Sequence, residues 1–300
     1  MPFKQVDVFT ETPFKGNPVA VILDGNSFST DDMQSIANWT NLSETTFVCK
    51  PTKASADYRL RIFTPRMELP FAGHPTLGSA WALLENGLRP KKPGCLVQEC
   101  GKGLITLQLE DTRIFFELPE PIFIDAEKQK IAAAEALGIR EDGILLASIV
   151  DVGAVWLALQ LRSAEKVLEL KPNMAMLSGM AGQTGITAFG FHPDGKVEVR
   201  SFAPAAGVPE DPVCGSGNGA VAALIRRHRL VESSSYSALQ GRKLGRDGKI
   251  AVQFENDRIW VGGSAVTCID GTMAGVRERE TEGKEFAENH IDGKLPLRRR

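Results

Sequence analysis

The segment EDPVCGSGNGAVAALI (210–225) runs from a proline-flanked acidic turn through closely spaced glycines into an alanine-rich apolar stretch. Glycine-rich chain opening into a helix presents unpaired backbone N–H groups, and such a terminus attracts anions. No lysine follows the glycines, and their spacing is not that of a nucleotide-binding loop. The segment is half of an internal echo: FTPRMELPFAGHPTLGSAWALL (63–84) reads against FAPAAGVPEDPVCGSGNGAVAALI (202–225). Phe63, Pro65 and Pro70 match Phe202, Pro204 and Pro209. After three extra residues in the second copy, Ala72, Gly73 and His74 stand opposite Cys214, Gly215 and Ser216. Each copy reads as strand, proline-bearing loop, glycine and apolar helix. Two copies at so long an interval exclude a solenoid. Duplication predicts two similar lobes, residues 1–118 and 119–276, with the break near ELPEPIF (117–123) and the last strand free to return to the first lobe.

Elsewhere the pattern is of strands and short helices. VDVFT and PVAVIL flank ETPFKGN, a turn carrying Pro13, Gly16 and Asn17. Ser29, Thr30 and Asp31 offer caps for a helix whose apolar face takes Met33, Ile36, Ala37 and Trp39. YRLRIFT alternates Tyr58, Leu60 and Ile62 against Arg59 and Arg61, and LITLQLE alternates through Ile105, Leu107 and Leu109. DAEKQKIAAAEALG predicts a helix with Asp125 as cap and Gly138 as stop. GAVWLALQL, KVEVRSF, KIAVQF and RIWVGGSAV read as strands, with helical segments around 163–180.

Net charge is −2, which gives no general attraction to nucleic acid or anionic membrane. PFKQVDVF after Met1 lacks a signal peptide's pattern, and no apolar run reaches membrane-spanning length. The five cysteines (Cys49, Cys95, Cys100, Cys214, Cys268) are odd in number, and the only close pair, Cys95 and Cys100, matches no zinc or redox spacing. Free thiols in a reducing cytoplasm are the expectation. The tail, 277–300, is dense in mixed charge and reads as solvated.

Facing lobes would bring the two helix starts, expected near Pro75–Thr76 and Gly217–Asn218, into one cleft. Paired positive termini would hold a small carboxylate, and also the enolate-like charge left when a proton departs its α-carbon. Gly73, Gly215 and Gly217 either line that site or merely permit tight turns. His74, Asp211 and Ser216 place polar groups at the same loops. Taken singly, the histidine could be structural and the aspartate a local turn residue. Glu44, in NLSETTFV, sits at a strand mouth, where a carboxylate is ordinarily just solvated.

LSETTFV, FTPRMELPFAGHPTLGSAWAL and EDPVCGSGNGAVAAL resemble the signature segments of the PhzF-like family, named for the phenazine-biosynthesis isomerase, and VDVFTETPFKGNPVAVIL is similar to its N-terminus. The resemblance implies the α+β fold of diaminopimelate epimerase: two pseudo-symmetric lobes, each a sheet wrapped around a central helix. It also implies that Glu44 is the acid–base residue and that His74, Asp211 and Ser216 complete the site. The reaction implied is a proton shift on trans-2,3-dihydro-3-hydroxyanthranilate or a related small carboxylate, without metal or organic cofactor, in a protein that is often a homodimer. Related epimerases use two opposed cysteines; those positions fall on Ala72 and Cys214, so one thiol lacks its partner. Three rivals stay open: a racemase pairing Glu44 with Cys214, a hydrolase using Cys214 with His74, and a non-catalytic carboxylate binder.

Overall fold

The computed structural model describes residues 1–180 and 182–274; the charged tail expected over 277–300 lies outside the described residues. A first run of elements comprises β1 (Pro2–Val8), β2 (Asn17–Ile22), α1 (Thr30–Thr40), β3 (Thr45–Cys49), β4 (Tyr58–Phe63), β5 (Glu68–Leu69), α2 (Gly73–Glu85), β6 (Cys95–Cys100), β7 (Gly103–Glu110) and β8 (Arg113–Glu117). A second run comprises β9 (Ile122–Ile124), α3 (Glu127–Leu137), β10 (Ile144–Asp151), β11 (Val155–Leu161), α4 (Ala164–Leu168), α5 (Met174–Ser178), β12 (Gly185–Phe191), β13 (Val197–Ala203) and β14 (Val208–Asp211). It continues through α6 (Gly215–His228), β15 (Ser235–Gln240), β16 (Gly248–Glu255) and β17 (Arg258–Gly263), before β18 (Ala265–Thr272).

The duplication is explicit in the strand pairing. From one edge, β18, β1 and β2 run antiparallel, β3 joins β2 in parallel, and β4 is antiparallel to β3. β6 is then parallel to β4, and β7 and β8 follow antiparallel. The strands β9, β10, β11, β12, β13, β15, β16 and β17 repeat that series of senses. β8 pairs with β17 and fuses the two runs into one sheet, while β18 returns to β1.

Each run wraps a helix that is apolar almost all round, as an enclosed helix must be. In α2 every residue from Gly73 to Ala80 is buried, and in α6 every residue from Gly217 to Ile225. Small residues allow the close packing: a Cβ at Gly219 would run into the Leu118 side chain, and one at Gly78 into Val19. The hairpin ahead of each helix carries the same clamp. Arg61 forks onto Glu68 at 2.8 and 2.7 Å, and Arg200 onto Glu210 at 2.8 and 2.9 Å. Each guanidinium also lies over a phenylalanine, Phe63 at 5.1 Å and Phe202 at 5.0 Å.

Local expectations meet mixed outcomes. α1 starts at a capping box of Ser29 and Asp32, but Trp39 is 82% exposed and leaves the apolar face to Met33, Ile36 and Ala37. α3 ends at left-handed Gly138, yet its N-cap is Ala126, not Asp125, and no side chain caps it. Both central helices begin two residues earlier than expected, so His74 and Ser216 lie inside the first turns. Asn17 is not a turn residue but the buried first residue of β2.

Candidate active site

The two helix starts meet. A Cβ at Gly215 would stand 3.5 Å from the backbone nitrogen of His74, and the aromatic ring of Phe9 closes the same spot. Around this junction the first lobe supplies Glu44, Asn17 and His74, and the second supplies Asp211, Cys214 and Ser216. Glu44 follows the left-handed Asn41 that stops α1, and its carbonyl accepts from Ala20 N at 3.4 Å as β3 aligns with β2. Its carboxylate Oε2 lies 3.4 Å from His74 Nε2, with side-chain exposures of 16% and 7%. Neither atom has a hydrogen-bond partner of good geometry, so the two face each other without a formed bond. On the other side of the ring, Asn17 Nδ2 stands 3.5 Å from His74 Nδ1 and donates to Asp211 Oδ1 at 3.0 Å. The Val213 N–H donates to the same Asp211 oxygen at 3.0 Å, fixing the carboxylate across its own turn. Glu44, His74, Asn17 and Asp211 thus form one row across the lobe junction, buried at its centre and half-buried at its two carboxylate ends.

Dehydration sets the charge states of this row. Burial pushes the Glu44 carboxyl up to about 7, against the opposing pull of the Ser43 hydroxyl. Burial lowers the His74 imidazole to about 4, despite the Asp211 carboxylate and the Pro18 backbone beside it. Asp211 is raised by burial to about 6, with His74 opposing and the Glu44 charge adding to the rise. At neutral pH the histidine is therefore neutral, Asp211 is mainly ionised, and Glu44 is poised between its two forms.

Ser216 stands one step along α6. Its Oγ accepts from Trp156 Nε1 at 3.0 Å and lies 3.7 Å from Cys214 Sγ. With Trp156 occupying a lone pair, the serine hydrogen can point either at Cys214 Sγ or at a ligand. Cys214 caps α6, its Sγ accepting from Gly217 N at 3.2 Å. Burial, with the Asp211 charge, drives this thiol well above its ordinary range, and it packs as the cap of the helix. Gly73 and Gly217 fit by lacking side chains: a Cβ would stand 2.7 Å from the Phe116 ring at Gly73 and 2.6 Å from Ser201 Oγ at Gly217.

Three residues that hold the site escaped the sequence. Asn17 read as part of a turn, and Trp156 read only as an apolar strand position. Gln240 takes the Cys214 N–H and the Asn218 amide on Oε1, at 3.1 and 2.7 Å, and gives its own N–H to the Asp211 carbonyl at 2.9 Å. The last had a legible signal. Gln98, which bonds Thr76 at 3.0 Å, stands to Gln240 as His74 stands to Ser216, 142 positions apart in both cases. A groove of about 740 Å³ opens on the second lobe between Arg140, Arg162, Lys171 and Lys243, and contains none of these groups. Clustered, desolvated titratable side chains mark the site more specifically than cavity size does.

The profile of the phenazine biosynthesis-like protein family (PhzC-PhzF) matches residues 6–271. The chain is 45% identical over 287 residues to Antisense-enhancing sequence 1 of Schizosaccharomyces pombe, covering 90% of this chain and 97% of that one. It is 34% identical over 278 residues to trans-2,3-dihydro-3-hydroxyanthranilate isomerase of Pseudomonas chlororaphis, covering 89% and 97%. The crystal structure of a PhzF-family phenazine biosynthesis protein of Bacillus anthracis superposes with a TM-score of 0.80 at 25% identity, over 90% of this chain and 98% of that one. A probable proline racemase of Agrobacterium radiobacter shares the fold alone, with a TM-score of 0.63 at 12% identity over 93% and 94% of the chains. No helix among the described residues is long and apolar enough to cross a membrane. With a two-lobed α+β fold and a profile match across nearly all of its described length, the chain belongs to the phenazine biosynthesis-like (PhzC-PhzF) family and is an isomerase.

Proposed function

We propose that this isomerase moves a proton between carbons of a small unsaturated carboxylate, with Glu44 as the acid–base. The observation that carries the reading is the Glu44 carboxyl itself: buried, raised to about 7, and with Oε2 lacking a hydrogen-bond partner beside a neutral His74. A carboxylate near its midpoint at neutral pH takes and returns protons with little penalty in either direction. The backbone N–H groups at the paired helix starts, with the Ser216 hydroxyl, would hold the substrate carboxylate and the oxyanion that develops on it. Glu44 takes the proton of an activated C–H bond, and the electron pair passes into the conjugated carboxylate. The protonated Glu44, whose proton exchanges with solvent, then gives a proton to form a C–H bond at another carbon of the system. His74 and Asp211 orient polar groups of the substrate and relay protons among them. Trans-2,3-dihydro-3-hydroxyanthranilate, for which the Pseudomonas relatives are named, is the first candidate substrate.

The asymmetry of the lobes favours a single-base shift over racemisation. Thr45 lies opposite Phe63 and Ile186 opposite Phe202, so Glu44 has Gly185 as its counterpart in the second lobe. A Cβ at Gly185 would run into the Phe202 carbonyl oxygen, which leaves no room for a second acid there. Cys214 faces Ala72 in the duplicated positions and is committed to its cap. The hydrolase reading is weaker still, since His74 Nε2 faces Glu44.

The test is turnover in D₂O. Trans-2,3-dihydro-3-hydroxyanthranilate and a panel of unsaturated carboxylates are incubated with the enzyme and followed by NMR. Deuterium is expected at the carbon that gains the proton, and Glu44→Gln should abolish it. Binding without deuterium incorporation from any compound would assign the non-catalytic reading instead.

A further inference from the structure

Asn17 is 1% exposed and reaches out of the first lobe into the second. Its amide nitrogen has two hydrogens and spends both on the second lobe, at 3.0 Å to Asp211 Oδ1 and 3.0 Å to the Val213 carbonyl. The same nitrogen stands 3.5 Å from His74 Nδ1, so the amide fills the space between the imidazole and the aspartate. Its own backbone is fixed on both flanks. β2 aligns Asn17 with Val8, and the preceding Gly16 gives its N–H to Asp7 at 3.1 Å. The Gly16 carbonyl accepts from Arg246 of the second lobe at 3.1 Å, and the Lys15 carbonyl accepts from the Asp247 N–H at 2.8 Å. A buried acceptor, Asn17 Oδ1, is left without a partner, a cost the fold would avoid with an apolar residue of the same size. The amide is therefore held where it is by its donors.

We propose that Asn17 is a positioning residue of the isomerase: one amide from the first lobe aims the Asp211 carboxylate of the second, keeps it ionised, and seats the His74 ring between Asp211 and Glu44. The inference rests on the acid–base reading of the row, and it adds a physical link between its halves. Asp211 comes from a hairpin of one lobe and His74 from the helix of the other, so any slip of one lobe against the other changes their spacing. Two directed hydrogen bonds remove that freedom.

The experiment is an NMR titration of the Asp211 carboxyl carbon and the His74 ring in the wild type, Asn17→Leu and the isosteric Asn17→Asp, with melting temperatures measured alongside. Losing a donor to the charged form should raise the Asp211 midpoint by about one pH unit in Asn17→Leu. A carboxylate placed against Asp211 in Asn17→Asp should raise it further. On any substrate the wild type turns over, kcat should fall about tenfold or more with KM little changed, and the acid limb of the pH–rate profile should move up with Asp211. A merely structural asparagine would lower the melting temperature and leave the Asp211 midpoint in place, and that result overturns the proposal. If Asn17→Leu does not fold, Asn17→Ala, which removes the donor without adding bulk or charge, is titrated in the same way and decides. The readout on Asp211 needs no turnover, so an active Glu44→Gln enzyme would sink the acid–base reading independently of it.

Discussion

Replacing Glu44 by glutamine should make the protein more stable and nearly inactive, and the gain in stability should appear only as pH rises. Burial moves the Glu44 carboxyl from 4.5 to about 7, and the side chain is only 16% exposed, so solvent screening is modest. The sign follows from linkage. In the unfolded chain the carboxyl loses its proton near 4.5, whereas the folded protein holds it until about 7. Between those values the unfolded state gains from ionisation and the folded state does not. Stability is thus lost as pH rises through this window, and the loss is complete above it. The full difference is worth roughly 3 kcal/mol. Glutamine mimics the protonated acid at every pH and escapes the loss. Above pH 8 the variant should be more stable by about that amount, which for a chain of this size is on the order of 5–10 °C in melting temperature. Near pH 5 the two proteins should melt nearly together. The His74 contribution runs the other way, being lost as pH falls from 6.5 toward 4, and it largely cancels because both proteins carry it. Turnover should drop about 10²-fold or more. Calorimetry or circular dichroism at pH 5, 6, 7 and 8, with a rate measurement at pH 7, checks both halves. A stability difference that does not change with pH would show that Glu44 is not raised by burial, and full activity would remove it from the chemistry.

Cys214→Ala should keep most of the activity and lose about 1 kcal/mol of stability through the missing cap on α6, and iodoacetamide should label the wild-type thiol slowly at pH 7. Rapid labelling with stoichiometric inactivation would revive the nucleophile. Trp156→Phe removes the donor at 3.0 Å to Ser216 and should weaken substrate binding or turnover about tenfold, with fold intact by circular dichroism; kinetics equal to wild type would mean that the serine needs no orienting partner. Glu210→Gln breaks the fork with Arg200, whose side chains are 6% and 9% exposed, and should cost about 3–5 kcal/mol, read as a fall in denaturation midpoint. No change there would show that the clamp does not stabilise the hairpin.

The duplication was legible because it is written in punctuation. Phe63 and Phe202, Pro65 and Pro204, Gly73 and Gly215 keep their order, and the strand pairing repeats with them. Boundaries were less legible. The central helices start two residues early because Ala72 and Cys214 take extended N-cap conformations, and no cap preference announces an alanine. Trp39 has the spacing of a core residue and still faces out, while Met33, Ile36 and Ala37 pack that side of α1. Asn17 and Trp156 carried no local signal at all. Their roles depend on partners 194 and 60 positions away.

Local chemistry along the chain determined the kind of groups present: paired glycine turns opening apolar helices, one histidine, one aspartate and one serine at those turns, and a glutamate at a strand mouth. Tertiary structure alone decided that Glu44 would lie against His74, that a glycine without room for a side chain would occupy its counterpart position, and that an asparagine would bridge the lobes. The physical reason is range. Turn and helix preferences act over a few residues, whereas a carboxylate's pKa depends on how much water and charge surround it, and those are set only when distant strands close over it.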